Sequence, residues 1–109
     1  MSHERYQIHW SEWIPFIRES IANVPHETGV YILANSQSQL YIGQDIDLCR
    51  RLDEHLNEDN DCIKKTTHFR FAITEDAGRL EVTLLNQFRI NNDGKLPPCN
   101  SFLDDEFYR

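Results

Sequence analysis

The chain has 109 residues and a formal net charge of −7, from 18 acidic and 11 basic side chains. This length suits one domain with a modest hydrophobic core. The negative charge disfavours a protein that grips long stretches of nucleic acid, because such proteins are normally basic. No apolar run approaches the roughly 18 residues that span a membrane, and the N-terminus lacks a signal-peptide layout. We therefore expect neither a membrane-spanning helix nor a signal peptide.

Apolar side chains at helical spacing mark the first predicted element. In the segment HWSEWIPFIRESIANV these side chains are Trp10, Trp13, Ile14, Ile17 and Ile21. Ser11 is a suitable N-cap, and Pro25 ends the pattern. We therefore expect residues 1–27 to form a helical extension that packs on the rest of the domain.

Two β-rich segments follow, GVYILA at 29–34 and QLYIG at 39–43, separated by the polar sequence NSQS. Two such runs around a turn composition predict a hairpin. Asp45 can cap a helix that runs to about Asn57, because leucines recur there at four-residue spacing.

The second half of the chain predicts one more strand and one more helix. HFRFAIT at 68–74 alternates like a half-buried strand, and Asp76 can cap a helix that runs to about Asn92, with Gly94 ending it. The order predicts an α/β (α+β) fold with a small three-stranded, mainly antiparallel sheet, flanking helices and the extra N-terminal helix.

Glu81 stands out on the last predicted helix. A helical projection places it within the apolar stripe formed by Ala77, Leu80, Leu84, Leu85 and Phe88. An ionised carboxylate facing a core is costly unless it is paired, protonated or bound to a metal. Glu81 could therefore reach water or an arginine from the edge of the stripe, or serve as a metal ligand or general base.

Arg51 and His55 form a second unusual pair. They are four residues apart and share one face of the predicted 46–57 helix. They could form salt bridges with Asp47 and Glu54, or they could form a cationic pair directed at a phosphate, for which the planar arginine fork is well suited.

The cysteines suggest no special chemistry. Cys49, His55, Cys62 and His68 lack the tight cysteine pair of a structural zinc site. Cys99 follows two prolines without an evident base beside it, so we expect a buried thiol rather than a nucleophile. An odd number of cysteines at irregular spacing favours a reducing compartment and predicts a cytoplasmic location.

These residues together make the chain resemble the GIY-YIG nuclease family. The motifs appear as GVY at 29–31 and YIG at 41–43, followed by a helix that carries Arg51 and His55 at the family's positions. Glu81 matches the family's metal-binding glutamate, and Asn100, in LPPCN, matches its asparagine. The resemblance runs from about Thr28 to Asn100 and implies a nuclease domain over 28–100 with a tail over 101–109.

The resemblance implies a divalent-metal-dependent DNA endonuclease that uses one Mg²⁺ or Mn²⁺ ion. Tyr31 would act as general base while Tyr41 positions the water or the phosphate. Arg51 would stabilise the scissile phosphate, and His55 would support Tyr31. Glu81 would bind the metal. Asn100 would orient a phosphate or the metal site.

Two departures concern DNA binding. Many members carry a lysine directly after YIG, where this chain has Gln44, and no appended DNA-binding domain or basic tail is evident. Substrate contacts are expected to be few and to come from Gly43, which allows close approach, and from Gln44, Arg50, Arg51, Lys64, Lys65 and Arg70. The DNA is then expected to be branched, flapped or otherwise structured, with a possible targeting protein. The alternative is a weak or inactive module that binds a DNA structure or a partner protein.

Overall fold

The structure is a computed structural model, and it describes residues 8–100. Its elements are β1 (Ile14–Pro15), α1 (Arg18–Ile21), β2 (Gly29–Ala34), β3 (Gln39–Asp45), α2 (Leu48–Asn57), β4 (His68–Ile73) and α3 (Ala77–Asn91), with a 3₁₀ turn at Ile63–Lys65. The strands form one sheet in the order β1-β4-β2-β3, and every pairing is antiparallel. The α+β class is confirmed, but the predicted count of three strands is wrong because β1 adds a fourth.

The N-terminal segment differs from the predicted helix. Residues 8–13 form no helix, and Ser11 bonds to β4: its amide donates to the Phe71 carbonyl at 2.8 Å, and its hydroxyl accepts from the Phe71 amide at 3.0 Å. Pro15 has no N–H and disfavours a helical Ile14, whereas an edge strand tolerates proline. Helix is confined to α1, and residues 1–7 of the predicted extension lie outside the described residues, as do 101–109.

The two faces of the sheet carry separate cores. One face packs against α1 and α2 through buried residues that include Ile21, Leu33, Leu48, Leu52 and Phe69. The other packs against α3 through Val30, Ala72, Ala77, Leu80 and Leu84. The leucine stripes predicted for the two long helices therefore do face the sheet.

The helix ends differ slightly from the predicted caps. Asp47, not Asp45, caps α2, because its carboxylate accepts from the Arg50 amide at 3.0 Å. Asp45 ends β3 and accepts from the Asp47 amide at 2.9 Å. Asp76 precedes α3 as predicted, without a capping bond from its side chain. Gly94 follows α3 with φ 81°, a conformation that glycine adopts without strain.

A disulfide joins Cys62 to Cys99, with their Cα atoms 5.7 Å apart. The expectation of a free Cys99 thiol is therefore wrong, and the cysteine pattern no longer argues for a reducing compartment. Cys49 remains a buried thiol. Among residues 8–100, no helix is long and apolar enough to cross a membrane.

The disulfide gives a stability prediction. Replacing Cys62 and Cys99 together by serine should lower the free energy of unfolding by about 3–4 kcal/mol, because the bridge closes a loop with a sequence separation of 37. Urea unfolding with and without reductant measures this. Reductant should destabilise the wild type and leave the double variant unchanged; equal stability of both proteins under oxidising conditions would contradict the prediction.

Candidate active site

Tyr31 and Tyr41 lie together over the centre of the β2–β3 pair. Tyr31 is opposite Gly43 and Leu33 is opposite Tyr41, so both tyrosines point to one face, and their ring centroids are 6.0 Å apart. A Cβ atom on Gly43 would lie 2.6 Å from both Cζ and Oη of Tyr31 and 2.8 Å from Cε2 of Tyr41. The two tyrosine rings therefore share one face of the sheet and occupy the space over Gly43.

His55 links this tyrosine pair to α2. Its side chain is buried, with 1% of the residue exposed, and its Nε2 lies 2.8 Å from the Tyr31 hydroxyl. Its Nδ1 lies 2.6 Å from Oε1 of Glu58, the residue that follows α2. Glu58 is not among the site residues predicted from the sequence; its three-residue spacing from His55 is the signal that could have found it.

The phenol and the imidazole both favour their uncharged forms. Burial raises the pKa of Tyr31 well above its usual value, Tyr41 adds to the increase, and the charge of Arg51 opposes it. Burial lowers the pKa of His55, as does the positive charge of Arg51, while Glu58 opposes the decrease. At neutral pH, Tyr31 therefore keeps its proton and His55 is neutral.

Arg51 borders the tyrosine pair with 31% of its side chain exposed. Partial burial opposes its charge, but Tyr31 and a hydrogen bond to Glu54 raise its pKa. Its guanidinium donates to Glu54 at 3.0 Å, which is one of the two salt bridges considered from the sequence. The other carboxylate, Asp47, instead lies 2.9 Å from His26.

The neighbouring cations already have acidic partners. Arg50 donates to Asp45 at 2.8 Å and also pairs closely with Glu54. Lys64 pairs with Asp59 at 2.8 Å. These ion pairs compete with any phosphate for the same side chains.

Two other predicted substrate contacts lie apart from the tyrosine pair. Gln44 and Arg70 point to the opposite face of the sheet, which α3 covers. The Arg70 guanidinium stacks on Trp10 and Trp13, 5.1 and 4.9 Å from the ring centroids, so both tryptophans pack on a cation. Lys65 is exposed in the 3₁₀ turn.

Asn100 is bound to the edge strand beside the tyrosine pair. It is 4% exposed; its side-chain oxygen accepts from the Ile42 amide at 2.8 Å, and its side-chain nitrogen donates to the Ile42 carbonyl at 2.9 Å. These two bonds pair the amide and the carbonyl of Ile42 on the outer edge of β3, between Tyr41 and Gly43. Glu81 lies half-buried in the first half of α3.

Comparison with known proteins identifies the family. The model of the GIY-YIG catalytic domain matches residues 27–89, more than half of the chain. The chain belongs to the GIY-YIG family. That match includes both motifs, Arg51, His55 and Glu81 and ends before Asn100. Among curated proteins no significant match is found.

Solved structures agree with this GIY-YIG assignment. The N-terminal endonuclease domain of UvrC from Thermotoga maritima, bound to its catalytic magnesium, is 28% identical, with a TM-score of 0.59 over 66% of this chain and 89% of that chain. A tyrosine-to-phenylalanine mutant of the same domain is 26% identical, with a TM-score of 0.59 over 66% and 89%. An asparagine-to-alanine mutant is 28% identical, with a TM-score of 0.57 over 66% and 88%.

The requirement for glycine at position 43 can be tested directly. Gly43→Ala should lower the free energy of unfolding by about 1–3 kcal/mol, because its Cβ would force the two phenol rings out of place. Gly78→Ala is the matched control, since a Cβ there meets nothing within 4 Å. On α3 it should stabilise the protein by up to about 1 kcal/mol. Equal urea midpoints for the two variants would contradict the conclusion that the two phenol rings need the space over Gly43.

Proposed function

We propose that this protein is a divalent-metal-dependent DNA endonuclease that hydrolyses phosphodiester bonds. The observation that carries the proposal is the convergence of Tyr31, Tyr41, His55 and Arg51 in a GIY-YIG chain. Its 28% identity to an endonuclease domain that binds magnesium supports the same chemistry.

We assign Glu81 as the protein ligand of one Mg²⁺ or Mn²⁺ ion. The fit is chemical: Mg²⁺ prefers oxygen ligands, often keeps several waters, and is commonly held by only one or two carboxylates. Glu81 offers one such carboxylate, half-buried in the first half of α3, and residues 8–100 contain no cluster of three or more His, Cys, Asp or Glu side chains that could hold a metal. When bound, the ion would stabilise negative charge on the phosphate and on the leaving oxygen.

Tyr31 is assigned as the general base, although its phenol is protonated at rest. Only about one free tyrosine in a thousand is ionised at neutral pH, and burial makes the phenolate of Tyr31 rarer still. Tyr31 can therefore take a proton from water only if its own proton leaves. His55 Nε2 is the acceptor for it, 2.8 Å from the hydroxyl.

Arg51 is assigned to the scissile phosphate. In the free protein it donates to Glu54, and a phosphate oxygen would replace that carboxylate as its partner. Tyr31 is only 1% exposed, and Arg51 beside it keeps 31% of its side chain exposed, so exchanging the partner of Arg51 would open this side. Asn100 would act through Ile42, holding the YIG strand in place.

A catalytically weak module that binds a DNA structure or a partner protein is the second candidate. The observation that favours it is the pairing of the cations near the site with carboxylates, in a protein of net charge −7. Such a module should not cleave at any metal concentration, and its binding should not depend on Glu81.

The decisive test is cleavage of a panel of labelled DNAs. Duplex, flapped, branched and single-stranded substrates would be incubated with wild type and variants in Mg²⁺, in Mn²⁺ and in chelator. Glu81→Gln and Arg51→Ala should each lower the rate by about 10²-fold or more, because they remove the metal ligand and the cation that stabilises the transition state. Chelator should abolish cleavage.

Glu75→Gln is the matched control, since it removes an exposed carboxylate just before α3. It should cleave like wild type. Failure of the wild type to cut any substrate in either metal, with DNA or protein binding retained in Glu81→Gln, would replace the nuclease by the binding module.

The salt dependence of DNA binding gives an independent prediction. With few available cations, we expect log Kobs to fall against log salt concentration with a slope no steeper than about −3, as for about three phosphate contacts. Fluorescence anisotropy with Glu81→Gln in chelator measures binding without cleavage. A slope of about −6 or steeper would indicate a long basic groove and contradict the assignment.

A further inference from the structure

The carboxylate of Glu58 contacts the buried His55, and neither motif includes Glu58. We propose that Glu58 is a positioning residue for the nuclease reaction: its carboxylate holds His55 in the tautomer that can receive the proton of Tyr31. This inference rests on the proposed function and adds a residue to it. Tyr31, His55 and Glu58 then form one hydrogen-bonded chain, called the proton relay below.

The direction of the two hydrogen bonds follows from the donor groups. An ionised carboxylate only accepts, so the 2.6 Å contact requires the proton on Nδ1 of His55. A neutral imidazole carries one proton, which leaves a lone pair on Nε2 to accept from the Tyr31 hydroxyl at 2.8 Å. In the other tautomer Nε2–H would face Tyr31, and the transfer could not occur.

The backbone holds Glu58 in this position. Its amide bonds to the His55 carbonyl at 3.3 Å, and its extended φ/ψ ends α2, so its side chain lies back against the imidazole. Glu58 is 30% exposed, whereas the His55 side chain has no exposed surface. The relay therefore runs from a buried phenol to a carboxylate in contact with solvent.

The charges around His55 suit a base that is neutral at rest. Arg51 and Glu54 act on it from the same helix, with opposite effects on its pKa. Tyr31 and Tyr41 face it from the two strands, with ring centroids 5.5 and 5.2 Å away. Burial and Arg51 keep the resting imidazole uncharged, and Glu58 stabilises the imidazolium that forms during the reaction.

The reaction step balances without a further reactant. The water oxygen forms a bond to phosphorus while one water O–H bond breaks. That proton goes to Oη of Tyr31, whose own proton moves to Nε2 of His55. The bond from phosphorus to the 3′ oxygen breaks, and that oxygen takes a proton from solvent. His55 later returns its proton to solvent, so one water is added per phosphodiester and no group is oxidised or reduced.

The test compares two substitutions of Glu58 with a control on the same helix. Glu58→Ala removes the acceptor, Glu58→Gln keeps an oxygen acceptor but removes the charge, and Asp53→Asn removes an exposed carboxylate of α2. The first measurement is ¹⁵N NMR of the His55 imidazole without DNA or metal. Wild type, Asp53→Asn and Glu58→Gln should show the Nδ1-protonated tautomer, whereas Glu58→Ala should populate the other.

The second measurement is the pH profile of cleavage. Both Glu58 variants should lose about 10²-fold or more in kcat with little change in KM. Loss of the negative charge lowers the pKa of His55, so the acidic limb of the profile should move to lower pH. Unfolding free energies of all variants separate these effects from misfolding.

The possible failures are distinguishable. If wild type cleaves and Glu58→Ala cleaves equally fast with an unchanged pH profile, the relay is wrong and the nuclease assignment stands. A wild-type tautomer protonated on Nε2 also overturns the relay, whatever the activity. If wild type cuts no substrate, both proposals fall.

Discussion

The pairing of Tyr31 with Gly43 across β2 and β3 is the constraint on which the site depends. Because Gly43 has no side chain, two phenol rings can lie over the same point of the strand. That arrangement leaves room for α2 to bring His55 within hydrogen-bond distance of Tyr31. The site is therefore part of the core on this face of the sheet, and its geometry is maintained by packing as well as by hydrogen bonds.

Burial decides the protonation states from which the proposed reaction would begin. A phenol and an imidazole that share a buried contact are neutral, so ionisation has to be transient and coupled to proton movement. Charge is also neutralised at the surface, where Arg50, Arg51 and Lys64 form ion pairs with carboxylates.

The C-terminal end of the described region supports the site from the other side. Asn100 binds the backbone of Ile42 on the edge strand, and the adjacent Cys99 is tied to Cys62. The disulfide therefore restrains the residue that holds the segment between Tyr41 and Gly43. The stability of the region around the Cys62–Cys99 bridge and the geometry of the two phenols are therefore coupled, through the disulfide and the hydrogen bonds of Asn100.

Short sequence patterns determined most of the helices and strands of this protein. The β-rich run of β2, the alternation of β4, the leucine spacing of α2 and the stripe of α3 are properties of short segments, and the motif residues could be matched from order and spacing. Tertiary structure alone decided which distant groups meet. The pairing of Pro15 with β4, the Cys62–Cys99 bridge and the bonds of Asn100 to Ile42 each join segments that are far apart in the sequence. No local periodicity records such contacts, because their energy arises only once the sheet and helices have packed.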